Sequence, residues 1–195
     1  MFGRTDTAVI TLLSPNIPSL VTATPFGWLR LAAVLLGLGI GLLSTAPAAF
    51  AAPDITLDKQ APGTVLFGDD STVTLRVANP SGQPYGYNLS LRDVLPAGIS
   101  YVPGSAQVEP RVIPNAPGPQ QTTLIFENVS DLSPGSSYSL SYDVEHSTST
   151  YDIGDSYVNE AGAYINDDPR FVPDFEPDGT PSGDFTGSAT DSAST

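Results

Sequence analysis

Cysteine is absent from all 195 residues, and methionine, tryptophan and histidine occur once each. Without cysteine there can be no disulfide, no thiolate metal site, no thiol nucleophile and no lipid-modified N-terminal cysteine. A lone histidine, His146, leaves no histidine pair for a metal and one imidazole for acid–base work. Basic residues are also scarce, 7 Lys and Arg against 21 Asp and Glu, giving a formal charge of −14. So acidic a surface argues against nucleic acid and anionic membranes as partners. Long hydrophobic runs are missing too. The longest, Leu31 to Leu43, falls short of the roughly 18 residues a membrane span requires.

That run has the features of an export signal. Arg30 precedes it, and a small-residue stretch with Ala49-Phe50-Ala51 follows, an A-x-A cleavage pattern. The expected organisation is a signal peptide over residues 1–51, a folded domain over 52–165 and an acidic linker or tail over 166–195. Membrane contact is then expected only during export, with the mature chain secreted or at the cell surface. Cleavage removes Arg4, Arg30 and Asp6 and takes the charge from −14 to −15.

What is abundant is turn chemistry and alternation. The chain holds 19 Pro and 18 Gly, residues that punctuate strands and weaken helices. Between them run segments of period two: Ile55–Lys59, Ser71–Ala78, Tyr87–Asp93, Ile99–Val102, Thr122–Asn128, Ser137–Glu145 and Tyr157–Ile165. About seven strands at this spacing predict an all-β, immunoglobulin-like β-sandwich. Glu109–Pro119 carries four prolines and reads as a surface loop. From Asn166 onward Asp, Pro, Gly, Ser and Thr dominate, and the ending resembles a linker leading into a longer repeat protein.

Three residues break the alternation. Lys59 shares parity with Ile55 and Leu57, Asp93 with Leu89 and Leu91, and Asn159 with Tyr157, Ala161 and Ala163. In a strand, residues two apart face the same side. A lysine, an aspartate and an asparagine are therefore expected to point inward from three strands, and a buried charge demands a partner.

The motifs that carry these residues resemble a known family. Lys59 is followed by Gly68-Asp69, Val73-Thr74-Leu75-Arg76-Val77-Ala78-Asn79, Leu91-Arg92-Asp93-Val94-Leu95-Pro96-Ala97-Gly98, Leu132-Ser133-Pro134-Gly135 and Val158-Asn159-Glu160-Ala161. This order is similar to the bacterial surface-repeat family known as domain of unknown function eleven, and to the related isopeptide-forming fimbrial domains. The resemblance covers about Asp54 to Ile165, with Asp-x-Leu-Pro-Ala-Gly its most specific element. Ala78-Asn79-Pro80 departs from the family's usual Asn-x-Gly turn. The resemblance implies an immunoglobulin-like module of a secreted or wall-attached protein, often in tandem, in which some members form a Lys–Asn isopeptide bond assisted by a carboxylate.

Three readings of the trio stand side by side. In the first, Lys59 and Asn159 form an isopeptide bond with Asp93 as the assisting acid. In the second, Lys59 and Asp93 form a buried ion pair with no covalent bond. In the third, Lys59 snorkels to solvent, Asp93 caps the following turn and Asn159 bonds backbone.

A second candidate is a cation site. Asp174, Glu176, Asp178 and Gly179 alternate as at the start of a calcium loop, although Phe185 stands where the bidentate acid would be and Pro177 stiffens the segment. The alternative there is a solvated acidic linker. No other cofactor is expected. Enzymatic chemistry has little support, since no nucleophile elbow accompanies His146. The functional expectation is a structural spacer or stalk domain of an adhesive or fimbrial-type surface protein, with further domains as partners. The alternative is a secreted binding module presenting loops such as Glu109–Pro119 to a host protein or glycan.

Overall fold

The structure, a computed structural model, describes residues 51–194 except 67, 148–149 and 151–153. The expected signal peptide lies outside the described residues, apart from Ala51.

Nine strands form: β1 (Thr56–Gln60), β2 (Asp70–Ala78), β3 (Gly86–Leu95), β4 (Ile99–Tyr101), β5 (Arg111–Pro114), β6 (Thr122–Leu132), β7 (Ser137–His146), β8 (Val158–Asn166) and β9 (Gly187–Ser194). They make two antiparallel sheets, one ordered β1-β2-β7-β4 and the other β5-β6-β3-β8-β9. The seven strands expected from alternation are β1 to β4 and β6 to β8, and the two-layer all-β fold is the one expected. No helix occurs among the described residues.

The core lies between the sheets and follows from period two. Val73, Leu75 and Val77 of β2 are buried, as are Leu140, Tyr142 and Val144 of β7, opposite Leu89, Leu91, Leu124, Phe126, Ala163 and Ile165 of the second sheet. Burying one such large apolar side chain stabilises by about 1.5–3 kcal/mol.

Two segments correct the sequence reading. The Pro-rich Glu109–Pro119 segment, expected as a presented loop, contributes β5, which pairs with β6 at the sheet edge. An edge tolerates proline because one side of the strand needs no ladder bonds. Residues 166–194, within the stretch 166–195 expected as a linker or tail, belong to the fold. β9 pairs with β8 from Val158–Ser194 to Ile165–Gly187. Between β8 and β9 the chain folds over the outer face of the second sheet. There Phe175 packs against Tyr164 and Ile125, with Phe185 and Ile113 beside them. Polar anchors hold this cover. Arg92 Nε donates to the Gly179 carbonyl at 2.7 Å, and the side-chain amides of Asn88 and Asn166 both donate to the Phe171 carbonyl. Gly179 sits at φ +80°, with Thr123 Cγ2 only 2.7 Å from where a Cβ would stand, so both the turn and the close approach require glycine. This covering explains why β3 and β8 are buried on both faces. Few apolar residues do the anchoring, and they stand too far apart in the chain to form a periodic pattern.

Candidate functional site

The site begins with β1. Its alternation turns Lys59 inward, opposite Leu75 of β2, and leaves the residue 5% exposed. The Lys59 backbone N–H faces away from β2 and donates to Asp191 Oδ2 of β9 at 2.8 Å. An aspartate side chain thus fills the place of a ladder acceptor where β1 meets β9. The Lys59 side chain is fully buried and its Nζ donates to Asp93 Oδ2, itself fully buried on β3.

Asp93 lies in mid-strand and is paired with Ala161 of β8. Asn159 is two residues from Ala161, on the same inner face, and is 2% exposed. Asp93 and Asn159 are therefore diagonal neighbours across adjacent strands, a Cα spacing of about 7–8 Å. Tyr142 reaches in from β7 of the facing sheet. Its hydroxyl donates to Asp93 Oδ2 at 2.6 Å, and Asn159 lies beside it. Tyr142 has one hydroxyl hydrogen, and it is committed to Asp93. The Tyr142 ring is held by Phe126 and Tyr101, with centroids 5.6 Å and 6.0 Å away.

Lys59, Asp93, Tyr142 and Asn159 form one polar cluster inside an apolar core, drawn from β1 and β7 of one sheet and β3 and β8 of the other. Its electrostatics are set by the lack of water. Burial lowers the Lys59 pKa below its ordinary value, with Asp93, Asp191 and Glu160 opposing. Burial also raises the Asp93 pKa, against the pull of Lys59, Tyr142 and Arg92. Both shifts favour neutral forms, so a proton on Asp93 and an uncharged amine on Lys59 relieve the same desolvation cost. Burial raises Tyr142 well above the ordinary tyrosine value, so its hydroxyl keeps its proton. Asp93 Oδ1 and Asn159 Oδ1 are buried without hydrogen-bond partners. Orphaned buried acceptors are costly, and a proton on the carboxyl turns one of them into a donor.

The sequence thus singled out three of the four residues. Tyr142 was legible only as an inward-facing core residue. The signal available was its hydroxyl, since a tyrosine at a fully inward position must find a polar partner. The snorkelling reading of Lys59 is excluded by its buried amine, and the turn-capping reading of Asp93 by its place in β3.

The calcium reading is corrected. Among the described residues no three His, Cys, Asp or Glu side chains gather closely enough to hold a metal. Asp174 Oδ1 accepts the Phe175 N–H at 2.8 Å, and Asp178 Oδ1 accepts the Thr180 N–H at 2.9 Å. The Gly179 N–H closes a tight turn onto the Glu176 carbonyl at 2.8 Å. In such a turn alternate side chains diverge, and Asp174, Glu176 and Asp178 do not converge on a point. His146, read as an isolated side chain, is instead buried, with Nε2 2.7 Å from Ser71 Oγ and Nδ1 3.4 Å from the Tyr157 hydroxyl.

No family model matches the sequence, and no curated protein matches it. Among solved structures, the chain is similar to AvmM, which catalyses macrocyclization in alchivemycin A biosynthesis, at 12% identity and TM-score 0.44, covering 74% of this chain and 88% of that one. It is similar to the full-length major pilin SpaD from Corynebacterium diphtheriae at 12% identity and TM-score 0.43, covering 72% of this chain and 34% of the pilin. It is also similar to the pilus backbone protein RrgB from Streptococcus pneumoniae at 14% identity and TM-score 0.40, covering 61% and 54%. The match spans only part of either pilin. All three likenesses are weak in identity and in TM-score, and they carry no inference about chemistry.

Proposed function

We propose that this chain is an exported structural module, a spacer or stalk domain of a bacterial surface assembly, that cross-links itself through an isopeptide bond between Lys59 and Asn159 with Asp93 as the assisting acid. The observation that carries this reading is the fully buried contact of the Lys59 amine with the Asp93 carboxyl in a core that Asn159 shares.

The chemistry follows from the protonation states. Burial favours moving a proton from Lys59 Nζ to Asp93, which leaves an amine with a free lone pair. That amine attacks Asn159 Cγ. The new Nζ–Cγ bond forms, the Cγ–Nδ2 bond breaks and ammonia leaves, after one proton has passed from the attacking nitrogen to the departing one. Asp93 polarises the amide and is regenerated. No oxidant or cofactor takes part.

The product suits a cysteine-free exported domain. It would tie β1 to β8 and enclose about a hundred residues, restricting the unfolded chain by about 4–5 kcal/mol in the loop-entropy model. A module built to bear load or resist proteases gains from such a link. Its partners would be further domains of the same or a longer surface protein.

Intact-mass measurement tests this directly. A chain lighter than its sequence by one ammonia, with tryptic peptides joined through Lys59 and Asn159, supports the cross-link. An unmodified mass in folded protein sinks it and leaves a buried ion pair.

A further inference from the structure

Lys59, Asp93 and Asn159 stand on β1, β3 and β8, yet one contact at their site comes from the last strand. Asp191 of β9 accepts the Lys59 backbone N–H at 2.8 Å, across 132 residues of chain. We propose that Asp191 is a positioning residue for Lys59, so that the cross-link forms only once β9 has docked against β1. The proposal rests on the cross-link reading given above and concerns how that bond is controlled.

The need for a clamp follows from β1. Lys59 is the fourth residue of a five-residue strand, and Ala61-Pro62-Gly63 ends the strand just beyond it. β1 is the edge of its sheet and has ladder bonds on one side only, to β2. The end of so short an edge strand frays, and fraying carries the amine away from its target. Asp191 closes the open side at Lys59 itself. Register places it there. Asp93 pairs with Ala161, and Ala161 pairs with Asp191. The two carboxylates therefore stand in one row of three adjacent strands, about 10 Å apart. Lys59 spans that row, its backbone on Asp191 and its amine on Asp93, with the small Ala161 between. The start of β9 meets the chain just ahead of β1. A Cβ on Gly187 would stand 2.5 Å from the Pro53 carbonyl oxygen, so glycine there lets β9 lie close beside the entry to β1. Position and charge act in opposite directions at this site. The Asp191 carboxylate favours the charged amine, which cannot attack, while its hydrogen bond holds the backbone that carries the amine.

The test follows cross-linking of the full chain made by cell-free translation, sampled over time by intact mass. Asp191→Ala removes both the charge and the acceptor, whereas Asp191→Asn removes the charge and keeps an acceptor. The expected result is that Asp191→Ala slows cross-linking by about a hundredfold, the scale of a misplaced reactive group. Asp191→Asn should match or exceed the wild-type rate. If Asp191 acts through charge alone, both variants speed the reaction, which overturns the proposal. An Asp191→Asn rate as low as that of Asp191→Ala denies the hydrogen bond its role and overturns it too. So does an Asp191→Ala rate equal to wild type, while the cross-link reading stands. Absence of ammonia loss in wild type overturns both. Amide hydrogen exchange in a Lys59→Ala background, which cannot cross-link but keeps the residue 59 N–H, separates docking from folding. There Asp191→Ala should raise exchange in β1 and β9 and leave β2, β3, β6 and β7 protected. A rise throughout the domain shows that Asp191 serves the whole fold, no rise shows that it clamps nothing, and either overturns the proposal.

Discussion

Tyr142 and Lys59 come from different strands of one sheet and converge on a single oxygen of the other, Asp93 Oδ2. Both are donors, so the oxygen is saturated while its twin, Asp93 Oδ1, has no partner. This asymmetry makes the cluster a directed arrangement rather than a generic buried ion pair, and it governs how substitutions should behave.

Lys59→Ala and Asn159→Ala each remove one end of the proposed bond. Both should retain the full unmodified mass and lose about 4–5 kcal/mol of the constraint on the unfolded chain, seen as a clear drop in melting temperature. If either variant melts with wild type, the bond contributes no stability and the stapling role fails.

Asp93→Ala should be harsher on the fold than its size suggests. It leaves the buried Lys59 amine without its partner, a loss of about 3–5 kcal/mol. Replacing both partners, Lys59→Met with Asp93→Leu, should recover much of that stability because nothing charged is then buried. Denaturant unfolding of the single and double variants checks this. A double variant no more stable than Asp93→Ala would contradict desolvation as the dominant energy.

Phe175→Ala tests whether the segment after β8 is part of the domain. Phe175 is 6% exposed and meets the Tyr164 ring edge-on at 5.5 Å. Its loss should cost about 3 kcal/mol and open residues 167–186 to proteolysis. Unchanged stability and cleavage would return the segment to the status of a linker.

His146 should make the domain sensitive to mild acid. Burial lowers its pKa from the ordinary 6.5, so the folded state resists a proton that the unfolded state accepts. Above pH 6.5 the histidine is neutral in both states and has no effect. As pH falls from there toward the lowered folded value, the unfolded state binds the extra proton and stability declines. Melting temperatures at pH 7.5 and pH 5 should therefore differ more for wild type than for His146→Gln. Equal differences would show that other groups set the acid response.

The sequence was most legible where period two was clean. Val73, Leu75 and Val77, and Leu140, Tyr142 and Val144, all lie inward as alternation requires. The same rule brought Lys59, Asp93 and Asn159 inside, because one buried face fixes the side of every second residue. It read less well at β9. Gly187–Ser194 has only Ala189 and Ala193 as apolar inward residues, and small residues give no amphipathic signal. That strand is specified by pairing with β8 along its full length and by Asp191, whose partner is a backbone N–H 132 residues away.

By itself the sequence determined an all-β chain without disulfides, its strand parity, and which polar residues share a face with the apolar ones. Parity is a property of one strand, and it is fixed by local backbone geometry. Which inward side chains meet depends on the order of strands in each sheet and on how the sheets face, and these are long-range facts. Tertiary structure alone decided that Lys59 reaches Asp93 across the two sheets, that Tyr142 joins them from the Lys59 sheet, and that Asp174, Glu176 and Asp178 turn apart.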